Sequence, residues 1–218
     1  MELKSYQQQV INDLDIFLEY LQKYPTPALA FKNYWENKVG AYELKLDGTY
    51  SGMTPYKDNI LKTPHVAIKV PTAGGKTFIA CNAIHSIFST YDSSRPKAVV
   101  WLVPWSNLLQ QTANNLSDPT HPYRQKLNTL FNHSVEVYEK ESLLQGANFN
   151  PTSVSEQLNI FVFNFSSLRI NSKKKDDRKI YQQNGALEAY RDIVVEQDLD
   201  IPDTADRAVI NMTRSVVP

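Results

Sequence analysis

At 218 residues and 24.9 kDa, the chain is long enough for one large domain or two small ones around a buried core. Lys plus Arg and Asp plus Glu each total 23, so the formal charge is zero. This excludes binding driven by bulk positive charge, though not a local basic groove. Hydrophobic residues at 42% with only 7 Gly and 12 Pro exclude disordered and collagen-like classes. The single cysteine, Cys81, excludes a disulfide framework and a Cys-based zinc site, and it suits a reducing compartment. The opening MELKSYQQQVIND has no apolar signal core, and no run approaches the roughly 18 apolar residues of a membrane span. A soluble, cytoplasmic protein with no membrane partner is expected.

Residues 4–22 predict a helix, with Val10, Leu14, Phe17, Leu18 and Leu21 on one face. Tyr24-Pro25-Thr26-Pro27 reads as its stop. Residues 28–62 are aromatic-rich without a clean period. They read as an irregular insertion with one short helix or hairpin near Tyr42–Tyr50, where Asp47-Gly48 signals a turn. His65–Val70 predicts a strand between Pro64 and Pro71, and Lys76 to about Ser89 a helix burying Ala80, Ala83, Ile84, Ile87 and Phe88. Ala98–Val103 is a nearly continuous apolar run, the pattern of a strand covered on both faces. A helix from about Asn107 to Leu116 follows, and Val135–Tyr138 and Ile160–Phe165 predict two further strands. Alternating strands and helices at this spacing imply an α/β fold with a parallel sheet and right-handed crossovers.

Charge is unevenly placed along this order. Between residues 63 and 112, Lys69, Lys76, Arg95 and Lys97 face only Asp92 as an acid. Lys173–Lys179 form a basic knot, interrupted by Asp176 and Asp177. Such a knot is more often a solvated loop than a nucleic-acid contact. The four histidines show no metal-ligand spacing.

Between the first expected strand and its helix lies Val70-Pro71-Thr72-Ala73-Gly74-Gly75-Lys76-Thr77. Small residues there let successive backbone N–H groups converge on phosphate oxygens, and the helix N-terminus adds a favourable dipole. Lys76 is placed to reach the β- and γ-phosphates, and the Thr77 hydroxyl to coordinate Mg2+. Val70 occupies the first glycine position of the full G-x-x-x-x-G-K-[ST] pattern, so an ordinary βα turn is the competing account.

Pro71-Thr72-x-Gly74-Gly75-Lys76-Thr77 resembles motif I of superfamily 2 helicases. Leu3-Lys4-Ser5-Tyr6-Gln7 is similar to the opening that supplies the adenine-reading glutamine of that superfamily. Trp101-Leu102-Val103-Pro104 with Leu108 and Gln111-Thr112 resembles motif Ia. Pro64-His65-Val66, His121-Pro122-Tyr123-Arg124 and Arg178–Gly185 are similar to the type III restriction enzyme Res subunit and its DEAD/DEAH-box relatives.

The resemblance implies a RecA-like P-loop domain with a central parallel sheet flanked by helices. It divides the chain into an N-terminal helix at 1–27, the insertion at 28–62 and a first RecA-like ATP-binding domain from 63 to 218. It further implies ATP and Mg2+ as cofactors. Gln7, Thr72, Ala73, Gly74, Gly75, Lys76 and Thr77 would bind the nucleotide, with Lys76 and Thr77 acting on the phosphates and Thr77 on the metal. Pro104, Trp105, Ser106, Asn107, Asn164, Ser166 and Arg169 would contact DNA. The implied partners are double-stranded DNA and a modification methyltransferase, in an ATP-driven translocase that forms part of a restriction endonuclease.

The chain departs from the family pattern at several positions. Ala73 replaces a motif I glycine, Trp105 a small hydroxyl residue, and Asn164-Phe165-Ser166-Ser167 a Thr-Ile-Gln sequence. No Asp-Glu-x-His of motif II follows any apolar strand. The expectation is therefore a domain truncated before motif II, which binds nucleotide with negligible turnover. Two rivals stay open on the residues alone: another P-loop NTPase or kinase, and a catalytically inactive nucleotide-binding or interaction module.

Overall fold

The computed structural model describes residues 1–91, 96–145, 149–164 and 188–190. They fall into two compact units, residues 2–91 and, together with Met1, residues 92–218. No helix among the described residues is long and apolar enough to cross a membrane.

The first unit opens with α1 (Ser5–Lys23), which buries Gln7, Ile11, Leu14, Phe17 and Leu18 at helical spacing. It is followed by α2 (Pro27–Val39), a helix where the sequence predicts an irregular insertion. Thr26 and Pro27 mark a start as well as a stop. The Thr26 hydroxyl accepts the Leu29 backbone N–H at 3.3 Å, and proline at the first helical position has no N–H to lose. Ala30 and Tyr34, one turn apart, are buried against Phe17, and the Phe17 and Tyr34 rings meet edge to face at 5.4 Å.

The expected hairpin is present as β1 (Glu43–Leu44) paired antiparallel with β2 (Tyr50–Ser51). At the turn the Asp47 carboxylate accepts both the backbone N–H and the hydroxyl of Thr49, which holds its pKa low. The strand predicted at 65–70 does not form. Its one backbone tie among the described contacts is His65 N–H donating to the Tyr56 hydroxyl at 3.0 Å, and Val66 and Ile68 stay exposed. Apolar content alone does not make a strand without a ladder partner. Val70 is buried with Ile11 and Ile79, which anchors the segment to α1 and to α3 (Lys76–Thr90).

The second unit contains β3 (Lys97–Val103), α4 (Ser106–Ser117), α5 (Pro122–Leu130), β4 (Val135–Tyr138), α6 (Lys140–Gln145), α7 (Pro151–Glu156) and β5 (Leu158–Asn164). The three strands form a parallel sheet in the order β3-β5-β4, with β3 and β5 in register from Lys97↔Leu158 to Val103↔Asn164. Helices α4 and α6 pack on it, and the architecture is the α/β class expected.

The strand covered on both faces is β5, buried at every residue. Val100 and Leu102 of β3 are each 60% exposed, against the expectation of double coverage. β3 pairs only with β5 among the described residues, and an edge strand is covered less than a central one. Arg124 locks the helical layer to the sheet, donating to the carbonyls of Leu116 (3.3 Å) and Val135 (2.7 Å). A buried aromatic cluster of Tyr138, Phe149, Phe161 and Tyr190 fills the space around β4 and β5.

Cys81 on α3 is fully buried, and burial pushes its thiol up from 9.0 to about 12. It is neutral at ordinary pH and is no nucleophile. Above pH 9.0 the unfolded chain releases a proton that the folded chain keeps. Stability therefore falls with rising pH, by up to about 1.4 kcal/mol per pH unit. Urea unfolding between pH 8 and 10.5 is expected to show a shallower alkaline loss in Cys81→Ala than in the unaltered chain.

Candidate nucleotide-binding site

The loop between residue 70 and α3 is shaped by three contacts within the first unit. Pro71 to Gly74 forms a tight turn, with Gly74 N–H donating to the Pro71 carbonyl at 3.0 Å. The Gly74 carbonyl then accepts two side chains from α1: the Tyr6 hydroxyl at 2.7 Å and the Gln7 amide nitrogen at 3.1 Å. The Gln7 side-chain oxygen accepts the Lys4 backbone N–H at 2.9 Å, one half of a capping box at the start of α1. Adjacent residues at the first turn of α1 thus hold one carbonyl of the loop from two directions.

Steric limits account for the glycines. A Cβ on Gly74 would lie 2.5 Å from Val70 Cγ1 and 2.9 Å from the Pro71 carbonyl oxygen. Val70, standing where the family pattern has glycine, thereby fills the space under Gly74. Gly75 caps α3 in the left-handed region at φ 72°, and a Cβ there would sit 2.5 Å from the Gln7 amide nitrogen. Ala73 also has positive φ, at 60°. This is where the substitution of a family glycine has its cost, since a left-handed alanine is strained by about 1 kcal/mol.

The chemistry available at the loop follows from what is left unsatisfied. The first i−4 hydrogen bond of α3 runs from Ile79 N–H to the Gly75 carbonyl. The N–H groups of Lys76 and Thr77 precede it and have no acceptor within the helix. Lys76 is exposed, and its ammonium folds back onto the Pro71 carbonyl at 2.9 Å. Thr77 is half-buried, and its hydroxyl makes no hydrogen bond among the described residues. Thr72 lies exposed at the loop tip. A helix N-terminus, an exposed ammonium and a hydroxyl with no partner among the described residues together suit an anion with its counter-cation.

Among the described residues, no cluster of three or more His, Cys, Asp or Glu can hold a metal on its own. A hard cation at Thr77 would therefore have to arrive with phosphate oxygens, the usual habit of Mg2+. Gln7, expected to read adenine, is only 5% exposed and is engaged at both ends of its amide. One amide proton and one oxygen lone pair remain to it. Tyr6 is the contributor that residue-by-residue reading passed over. Its signal is its position beside Gln7 in the first turn of α1.

Of the expected DNA-contacting residues, Pro104, Trp105, Ser106, Asn107 and Asn164 are described, and they sit in the second unit at the carboxyl ends of β3 and β5. Asn164 is buried and donates to the Ser106 hydroxyl at 3.1 Å, which joins the end of β5 to the first residue of α4. Trp105 caps α4 without a side-chain bond to it and is 69% exposed. Pro104 and Asn107 are exposed, and the Asn107 side-chain oxygen accepts the Leu108 N–H at 2.9 Å. Ser166, Arg169, the basic knot at 173–179 and residues 211–218 lie outside the described residues.

Ala73→Gly is expected to relieve the loop strain and stabilise the chain by about 1 kcal/mol in urea unfolding. Gly75→Ala is expected to destabilise it by a similar or larger amount, because the new methyl displaces the Gln7 amide as well as straining the cap.

Residues 1–194 match the type III restriction enzyme Res subunit family. No curated protein and no solved structure gives a significant match. The chain belongs to the type III restriction enzyme Res subunit family, and its fold is RecA-like.

Proposed function

We propose that this Res-family chain binds ATP with Mg2+ at the loop 71–77 and is the nucleotide-binding portion of a DNA-dependent translocase. The observation that carries the reading is the loop geometry: a glycine-capped helix start with Lys76 and the free Thr77 hydroxyl beside it, held by Tyr6 and Gln7 on one carbonyl. In this reading Lys76 exchanges the Pro71 carbonyl for the β- and γ-phosphates, replacing a neutral acceptor with a charged one. The N–H groups of Lys76 and Thr77 orient the same oxygens, and the Thr77 hydroxyl supplies a ligand to Mg2+. When bound, the metal would neutralise phosphate charge.

Gln7 uses its remaining amide proton and lone pair for the adenine edge, which favours ATP over GTP. Trp105 and the first turn of α4 contribute a stacking and phosphate-contacting surface for DNA, with Asn164 positioning Ser106. A modification methyltransferase is the partner this family reading implies. The 218 residues contain no Asp-Glu pair to hold the metal's water shell and orient an attacking water. Binding without multiple turnover is therefore the expected behaviour of this chain.

The test is titration of the 218-residue chain with a fluorescent ATP analogue, with and without Mg2+. Lys76→Ala is expected to weaken binding by about 10- to 100-fold, the loss of a charged hydrogen-bond donor. Thr77→Val is expected to leave metal-free binding intact and abolish the Mg2+ enhancement. Binding unchanged in Lys76→Ala contradicts the site, and multiple turnover that disappears in the same variant contradicts the expected lack of hydrolysis.

A further inference from the structure

The β1–β2 hairpin of the first unit is exposed from Ala41 to Tyr50, and its strands pair with no third strand among the described residues. A lone two-stranded hairpin is marginal in water, and an open edge is a template for a further strand. Which backbone groups of β1 lie on that edge follows from one hydrogen bond. Lys45 N–H donates to the Thr49 carbonyl at 2.8 Å, so residues 45 and 49 form a hydrogen-bonded pair across the hairpin. Such pairs alternate in an antiparallel ladder, and the next pair sets Leu44 opposite Tyr50. Leu44 therefore exchanges no backbone bonds with β2, and its N–H and C=O point outward along the open edge. Tyr42 has the same parity.

Side chains alternate in the same way. Leu44, 63% exposed, shares one face with Tyr50 and with Tyr42, whose ring stacks on that of Tyr50 at 4.8 Å. Glu43 and Lys45 stand on the other face, and neither has an ion-pair partner among the described residues. The strand thus carries an apolar face, a polar face with one charge of each sign, and an open row of backbone groups between them.

We propose that β1 pairs antiparallel with β1 of a second copy of this chain, about a two-fold axis at Leu44, to give a four-stranded sheet in the order β2-β1-β1-β2. Backbone parity and charge select this register together. A two-fold axis at Glu43 would set Glu43 opposite Glu43. An axis at Lys45 would set Lys45 opposite Lys45 and Glu43 opposite Asp47. With the axis at Leu44, the outward N–H and C=O of the two Leu44 residues bond each other, and Glu43 of each copy faces Lys45 of the other. Two cross-strand ion pairs then lie on the polar face, and the two Leu44 side chains meet on the apolar face. This complementarity of the strand with its own reverse makes a second copy the occupant. The edge is short, so the interface falls below the roughly 1,200 Å2 of stable complexes, and a weak dimer with a dissociation constant on the order of 0.1 mM is expected.

The test is sedimentation velocity of the 218-residue chain from micromolar to millimolar concentration at physiological salt, with 15N amide shifts followed over the same range. The chain is expected to pass from monomer to dimer, with shifts centred on residues 41–51. Glu43→Lys and Lys45→Glu each set like charges opposite one another, and each is expected to weaken the dimer about tenfold. An equimolar mixture of these two variants is expected to regain association as a heterodimer, because each supplies the charges the other lacks. No effect confined to one hairpin reproduces that recovery. Leu44→Pro removes the outward N–H and spares the bonds between β1 and β2. Added to both variants, it is expected to abolish the heterodimer, which separates strand pairing from simple attraction between oppositely charged chains. A chain that stays monomeric at millimolar concentration, shifts centred elsewhere, a mixture no more associated than its two components, or a heterodimer that survives Leu44→Pro would each overturn the proposal.

Discussion

The Gly74 carbonyl is the point on which the candidate site depends. It accepts the Tyr6 hydroxyl and the Gln7 amide together, and both donors stand on the first turn of α1, whose apolar face is buried further along the helix. A loop rich in small residues has no side chains to hold its own shape, and each ordered residue costs about 1–2 kcal/mol of backbone entropy. Two hydrogen bonds on one carbonyl, with Val70 packed under Gly74, supply the restraint from outside the loop. The left-handed caps at Ala73 and Gly75 become tolerable only because the surrounding contacts over-determine them.

This arrangement changes the meaning of the glutamine near the chain start. Family resemblance implies that Gln7 reads adenine, whereas the geometry makes it first a strut of the loop 71–77, nearly buried and bonded at both amide ends. The two roles are compatible in hydrogen-bond capacity, since each end of the amide has one bond to spare. A strut that also touches the base would make loop shape and base identity depend on one side chain. In the second unit Asn164 has a parallel place. It is buried at the end of β5 and holds Ser106 at the start of α4, next to the exposed Trp105.

Much of the fold was legible in the chain because local signals agreed with tertiary ones. Helices α1, α3 and α4 and strands β3, β4 and β5 lie within a few residues of where periodicity places them. Four helices, α2, α5, α6 and α7, escaped that reading. In α2, α5 and α7 the start is Thr26-Pro27, His121-Pro122 or Asn150-Pro151, each a capping side chain with proline at the first helical position, and the first of these reads as a stop where it is also a start. The strand expected at 65–70 failed for the opposite reason. Its composition suits a strand, but pairing is a property of a partner and cannot be read from six residues. At the site, the loop was legible as a motif and Ala73 as its strained position. The Tyr6 bond was not, because it joins residues 68 apart in sequence.

The central claim is that Tyr6 and Gln7 hold the loop in the shape that receives phosphate. Amide hydrogen exchange of residues 72–78, in the unaltered chain and in a Tyr6→Phe/Gln7→Ala variant, tests it most directly. The account predicts exchange at least about tenfold faster across the loop in the variant, with α2 unchanged and protection by Mg2+ and ATP lost. Loop exchange and nucleotide protection that match the unaltered chain would show that the loop holds its shape without α1, and would contradict the account.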